Sequence, residues 1–326
     1  MGQNLQTTKD MKIKKMILAI LMTISTALTI QANETEISPD GTYLYTERDT
    51  CKLYLDVYDP AEGSQTHIDG KAKPTIVFMF GGGFILGSRD DKSYNEWFKM
   101  LTQNGYRVIS IDYRLGLKGS NKVGIAQVNV LDKAIHMAVE DLFSATLFMI
   151  DNAESLGIDP SNIVISGSSA GAISVMQAEY EICNRTSWAS VLPEDFNYAG
   201  VMSFSGAILS RNGKVTYAEE PCATLMLHGT SDDLVPYKQI AFFNLGFFGG
   251  GKLVERFKKF DYNYNMYHFI DYGHEIAGSM EKTLDMQMMF LESNVMQGKK
   301  RVIEAWITDS NINKGSGPQS RKELYK

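Results

Sequence analysis

Cysteine is scarce in this chain of 326 residues: there are three, Cys51, Cys183 and Cys222, far apart. With no C-x-x-C and no Cys/His spacing, they support neither a disulfide framework nor a zinc site, and one disulfide at most can form. Positive charge is not in excess either. The 32 Lys and Arg stand against 38 Asp and Glu, for a net charge of -6, so nothing electrostatic points to nucleic acid or an anionic membrane as a partner. A composition of 44% hydrophobic and 21% charged residues is globular, which argues against disorder and against a multi-pass membrane protein. Histidine is sparse too, five in all, so the search for a general base is short.

One apolar run stands apart, at residues 16–30. Lys9, Lys12, Lys14 and Lys15 precede it, and Gln31-Ala32 and a polar stretch follow. A basic segment, an apolar core and a small residue at the end describe a signal peptide over residues 1–32, with Met11 as an alternative start. The run is shorter than the roughly 20 residues that span a bilayer, and no cysteine near its end offers a lipid attachment point. The expectation is an exported protein without a stable membrane anchor. Residues 33–326 are expected to form a single domain, with an irregular tail from about residue 308.

Within that domain, strand and helix patterns alternate from residue 75 onward. Thr75-Ile76-Val77-Phe78-Met79-Phe80 is a continuous apolar run of strand length, as expected of a strand covered on both faces. Similar runs recur at 108–111, 163–165, 200–205, 224–228 and 266–270, and residues 53–58 read as an earlier, half-buried strand. Helical spacing appears at 93–104, 132–155 and 280–295. The order predicts an α/β fold with a mostly parallel sheet and helices on both faces. In such a sheet, functional groups gather on loops at the C-terminal ends of the strands.

Four of those loops carry chemistry. Gly167-Ser168-Ser169-Ala170-Gly171 follows the run Ile163-Val164-Ile165 and precedes a helical stretch, the context in which a G-x-S-x-G pattern marks a nucleophile on a tight strand-to-helix turn. The bland alternative is a glycine-rich turn. Gly81-Gly82-Gly83-Phe84 follows the strand at 75–80 and exposes backbone N–H groups suited to an oxyanion; alone it would read as a flexible turn. A serine hydroxyl needs a base, and the base needs a carboxylate to fix its tautomer. His274, beside Gly273 in a post-strand loop, is the preferred base, with His268 as fallback. His67 lies in an early loop, His136 in a helix, and His228 at a strand end where a turn-stabilising role fits better. Asp232, opening D-x-x-V-P after the strand at 224–228, is preferred over Asp233 as the acid. Asp141, inside a helix, reads as a structural partner for nearby backbone or a basic side chain rather than a functional group.

The order Ser169, Asp232, His274 is that of α/β-hydrolases. With Asp112-Tyr113-Arg114-Leu115-Gly116, Gly157-Ile158-Asp159-Pro160 and His228-Gly229-Thr230 also in place, residues 53–295 resemble the α/β-hydrolase esterase and lipase group, in particular secreted bacterial carboxylesterases with a Gly-Gly-Gly-Phe loop. Phe80 stands where many relatives have histidine, a departure from the histidine-bearing lipase subgroup. The resemblance implies the α/β-hydrolase fold and ester hydrolysis through an acyl-enzyme. It also implies an oxyanion hole of Gly82, Gly83 and Ala170, no metal or organic cofactor, and a periplasmic or extracellular location in a bacterium. A small-molecule or carbohydrate-linked ester is the expected substrate. The segment with Phe242, Phe243, Phe247 and Phe248 reads either as pocket lining or as core packing of a helix, and residues 188–198 as a lid or a surface loop. A prolyl-oligopeptidase-type peptidase and a noncatalytic binding protein on the same fold are the rival readings.

Overall fold

The computed structural model describes residues 37–49, 51–119, 128–320 and 323. The segment expected to direct export, with Met11, lies outside them. Among the described residues, nine strands join in one sheet: β1 (Gly41–Arg48), β2 (Cys51–Tyr58), β3 (Thr75–Met79), β4 (Val108–Ile111), β5 (Ile163–Ser168), β6 (Gly200–Phe204), β7 (Ala223–Gly229), β8 (Tyr264–Phe269) and β9 (Ile303–Ile307). They lie in the order β1-β2-β4-β3-β5-β6-β7-β8-β9. β2 pairs antiparallel with both β1 and β4, and every later pair is parallel.

The parallel strands are apolar without interruption because both their faces are covered. Ile76 to Met79 of β3 and Ile163 to Ile165 of β5 have no solvent exposure. Each such side chain contributes about 1.5–3 kcal/mol by leaving water. The main helices are α1 (Asn95–Gln103), α2 (Val128–Asp151), α3 (Ala170–Cys183), α4 (Gly250–Lys259) and α5 (Leu284–Phe290). Every residue of α3 is buried, since it packs against β5 on one side and α2 on the other. After β3 the chain turns back to β4 and then crosses to β5 on the opposite side of β3. The strand order therefore reverses between β3 and β5, the switch point at whose C-terminal ends open α/β sheets place their functional groups.

Several elements depart from the sequence expectation. β1 and β9 were not foreseen, because these edge strands are largely exposed and lack an apolar run. The helical spacing at 280–295 resolves into a 3-10 turn, α5 and a π turn at Leu291–Met296 rather than one uniform helix. The aromatic segment before Gly249 is not helical. Gln239–Phe242 and Leu245–Gly249 form a hairpin that pairs with Ala207–Ser210 as a separate antiparallel sheet. Phe242 and Phe243, at its tip, are 72% and 89% exposed, so they belong to no core; Phe248 turns inward and is buried. No helix among the described residues is long and apolar enough to cross a membrane.

Candidate active site

Ser169 occupies the turn between β5 and α3 with φ +50° and ψ −112°, a region that non-glycine residues rarely adopt. Two close approaches impose this conformation. A Cβ on Gly167 would overlap the backbone of Gly171, and one on Gly171 would overlap the carbonyl oxygen of Met79 at the end of β3. The glycines on either side of Ser169 therefore let the turn close against itself and against the neighbouring strand. Ser169 N–H donates to Phe204 O at the end of β6 (2.9 Å), and Ser168 Oγ donates to Ala277 O (2.8 Å). Ala170 begins α3, where the first N–H groups of a helix lack intrahelical acceptors and face the positive end of its dipole.

The glycine run after β3 lies alongside this turn. A Cβ on Gly81 would sit 3.4 Å from Ser169 Cβ. Gly82, Gly83 and Phe84 take positive φ values of 108°, 64° and 62°, and Gly82 has no room for a side chain because Leu86 O fills that space. The loop is braced from both sides. Tyr94 Oη accepts from Gly81 N–H (3.0 Å), and Tyr113 Oη donates to Phe80 O (2.8 Å) while its ring stacks on Phe80 at 4.3 Å. Phe80 is thus a buried wall of the loop. Arg114 is anchored in turn by Asp141, which accepts from its backbone N–H (2.8 Å) and its Nε (2.9 Å). Arg48 Nε also reaches Asp141 (3.2 Å), so Asp141 acts as a structural counter-charge to two arginines.

The base and acid loops converge on Ser169 from the far side. His274 lies just past β8, in a 3-10 turn spanning His274–Gly278. Its Nε2 is 2.8 Å from Ser169 Oγ and its Nδ1 is 2.8 Å from Asp232 Oδ2. With Nδ1–H donating to the carboxylate, Nε2 is left as the acceptor that faces the hydroxyl. Asp232 is buried and its neighbour Asp233 is exposed, which separates the two acid candidates. The other oxygen of Asp232, Oδ1, accepts from Leu234 N–H and Val235 N–H, both at 3.0 Å. Burial pushes this carboxyl up, but hydrogen bonds from His228 and His274 outweigh it and hold the group well below the usual carboxylate range.

The remaining histidines stand elsewhere. His268 is inside β8, hydrogen-bonded through Nδ1 to Tyr237 Oη (2.6 Å) and stacked under Trp306. His67 and His136 are exposed, and His136 stacks on Trp188 at 4.0 Å. Residues 188–198 pack onto α2 and the end of α3 through contacts such as Tyr198 Oη to Thr146 Oγ1 (2.7 Å). One site neighbour escaped the sequence reading, and a second, His228, was read only as turn-stabilising. Gln319 Oε1, in the segment after β9, accepts from His274 N–H (3.1 Å), and no local pattern marks it. His228 lies beside Asp232, with Nε2 3.4 Å from Oδ2; its His-Gly-Thr context was the available signal. Among the described residues, no group of three or more His, Cys, Asp or Glu side chains gathers as a metal site would require.

Ser169, Asp232 and His274 stand past the C-terminal ends of β5, β7 and β8 of a mostly parallel sheet, an arrangement that defines a protein of the α/β-hydrolase fold, and this chain has that fold. Residues 55–207 match the family described as BD-FAE, and the chain is similar to esterases and lipases. The propionate-bound structure of esterase 2 from the planctomycete Thermogutta terrifontis superposes with a TM-score of 0.54 and 21% identity, covering 77% of this chain and 93% of that one. Gut esterase 1 of Caenorhabditis elegans is 31% identical over 119 residues, 36% of this chain and 20% of that protein. Lipase 1 of Geotrichum candidum is 30% identical over 169 residues, 51% of this chain and 27% of that protein. The matched stretch is thus under a third of either relative's length.

Proposed function

We propose that this protein is a serine carboxylic ester hydrolase that works through an acyl-enzyme, with Ser169 as nucleophile, His274 as general base and acid, and Asp232 as its orienting carboxylate. The observation that carries the proposal is the unbroken chain from Asp232 Oδ2 through the His274 ring to Ser169 Oγ, 2.8 Å at each link. His274 Nε2 takes the hydroxyl proton as Oγ attacks the ester carbonyl. Negative charge develops on the carbonyl oxygen, where the N–H groups of Gly82, Gly83 and Ala170 are assigned as donors; one such donor is typically worth about 3–4 kcal/mol of barrier. His274 then hands the proton to the departing alcohol, and a water activated by the same nitrogen releases the acid. Asp232 stays ionised throughout and stabilises the imidazolium.

The acyl group is proposed to be short, in keeping with the propionate carried by the Thermogutta esterase 2 structure, and the alcohol to be a small molecule or a carbohydrate. The basic and apolar pattern of residues 1–32 supports export to the periplasm or the extracellular space, which fractionation and N-terminal sequencing of the mature chain would test. For the activity, p-nitrophenyl acetate and butyrate, acetylated xylan and feruloyl esters should be assayed beside an aminoacyl-proline amide. Turnover of an ester is expected, and Ser169→Ala should lower kcat about a million-fold. Cleavage of the amide with no ester turned over would establish a peptidase instead. Ester turnover undiminished in Ser169→Ala would remove Ser169 from the reaction.

A further inference from the structure

Asp232 has a second histidine against it. His228, near the end of β7, is buried, and its ring bridges two segments that the chain joins only through the exposed hairpin. Nδ1 accepts from Gly250 N–H in the first turn of α4 (3.3 Å). Nε2 lies 3.1 Å from Val235 O and 3.4 Å from Asp232 Oδ2, the same oxygen that meets His274. A ring nitrogen that accepts from a backbone N–H carries a lone pair, so the proton of His228 sits on Nε2 and points into the acid loop.

Other groups around the ring leave that assignment intact. Tyr237 meets it edge-on at 5.6 Å, and its hydroxyl turns away to His268 Nδ1. From β9, Glu304 approaches the far nitrogen of His268 at 3.6 Å and pairs with Lys258. On the other side are Asp232 itself and, beyond it, His274. His228 Nε2 is hydrogen-bonded to Val235 O and lies 3.4 Å from the carboxylate on the strand side, while Leu234 and Val235 N–H hold Oδ1 from the loop.

We propose that His228 is a positioning residue for the triad: its Nε2–H, bonded to Val235 O and 3.4 Å from Asp232 Oδ2, holds the acid loop and its carboxylate so that Oδ2 faces His274, and its Nδ1 ties that loop to α4. The inference rests on the Ser169–His274–Asp232 reading. Without this ring, the acid loop loses a hydrogen bond at Val235 and the buried charge loses a nearby N–H, and the carboxylate is free to shift away from His274. His228 is placed to act on kcat and to leave KM unchanged, because it reaches the reaction only through Asp232.

The test is the kinetics of His228→Met and His228→Gln on a short p-nitrophenyl ester, with thermal melts, beside Ser169→Ala. In His228→Met, kcat is expected to fall about 10- to 100-fold, the scale of a 1 Å misplacement, with KM held and the acid limb of the pH profile displaced. The Gln variant, whose amide nitrogen reaches the position of Nε2, should restore most of the rate. In the wild-type protein, nitrogen NMR should show His228 as the neutral ring protonated on Nε2, a readout that stands even if the Met variant fails to fold. A folded Met variant with unchanged kcat and acid limb, or a His228 protonated on Nδ1, overturns the inference. If Ser169→Ala still turns over ester, the triad reading falls as well; loss of activity there with no effect at His228 removes the positioning role alone.

Discussion

Ser169 and His274 face each other across 2.8 Å, yet they are held by opposite means. Ser169 is set by its immediate neighbours: a positive φ, two glycines that admit neighbouring backbone, and the first turn of a buried helix, all within residues 167–171. His274 is set by residues distant in sequence. Asp232 holds its ring, Gln319 takes its backbone N–H, and Ala277 O, three residues on, is tied to Ser168. Ser169 is positioned by steric exclusion and His274 by hydrogen bonds. Perturbing each should therefore fail differently, one in folding and the other in chemistry.

Short of removing Ser169 itself, the largest effect is expected at the carboxylate. Asp232→Asn should keep the fold and lower kcat about 10⁴-fold, because an amide no longer enforces the Nδ1–H tautomer of His274; stopped-flow kinetics beside a thermal melt would separate the two readouts. The same carboxylate shapes the pH profile. Its pKa in the folded protein is depressed, so it remains ionised well below the usual carboxylate range. The stability it contributes is present above the unfolded value and is lost only as pH falls through the folded one. No carboxylate-like ionisation should then appear in kcat/KM down to about pH 4. A carboxylate-like ionisation above that pH would show that Asp232 is not held as described.

At the nucleophile turn, the failure should be structural. Gly171→Ala places a Cβ on the carbonyl of Met79 and should destabilise the protein by about 3 kcal/mol, at the upper end of overpacking costs. Gly63→Ala is the control. Unlike Gly171 it has a positive φ, +76°, and open space around it, so it should cost only about 1 kcal/mol, a left-handed penalty with no steric overlap. Equal melting temperatures for the two variants would remove steric exclusion as the cause. Smallest of all should be Gln319→Ala, which removes one acceptor from His274 N–H. About 1 kcal/mol of stability and a few-fold loss in kcat are expected, and hydrogen exchange at the His274 amide would report the loosening.

The same contrast explains what could be read in advance. The Ser169 turn was legible because its requirements are local and each falls on a residue type: glycine where backbone approaches, and an apolar run where a strand is covered on both faces. The six parallel strands from β3 to β8 were legible for that second reason. Asp232 was preferred to Asp233 on its D-x-x-V-P spacing, and burial of the one and exposure of the other now separate them. What could not be read depends on partners far along the chain. β1 and β9 are edge strands with little apolar content, and Gln319 sits in a stretch with no periodicity. The segment at 239–249 misled because four phenylalanines suggest a core or a pocket, whereas the hairpin geometry turns Phe242 and Phe243 to solvent and only Phe248 inward.

Covalent labelling tests the central claim most directly. A fluorophosphonate reports a serine only when a base activates it, so the intact protein and its His274→Ala variant should be treated side by side and mapped by peptide mass spectrometry. The expected result is a single adduct on Ser169 in the wild-type protein, with labelling slowed by several orders of magnitude when His274 is removed. An adduct on another residue, or equal labelling rates in the two proteins, would contradict the account.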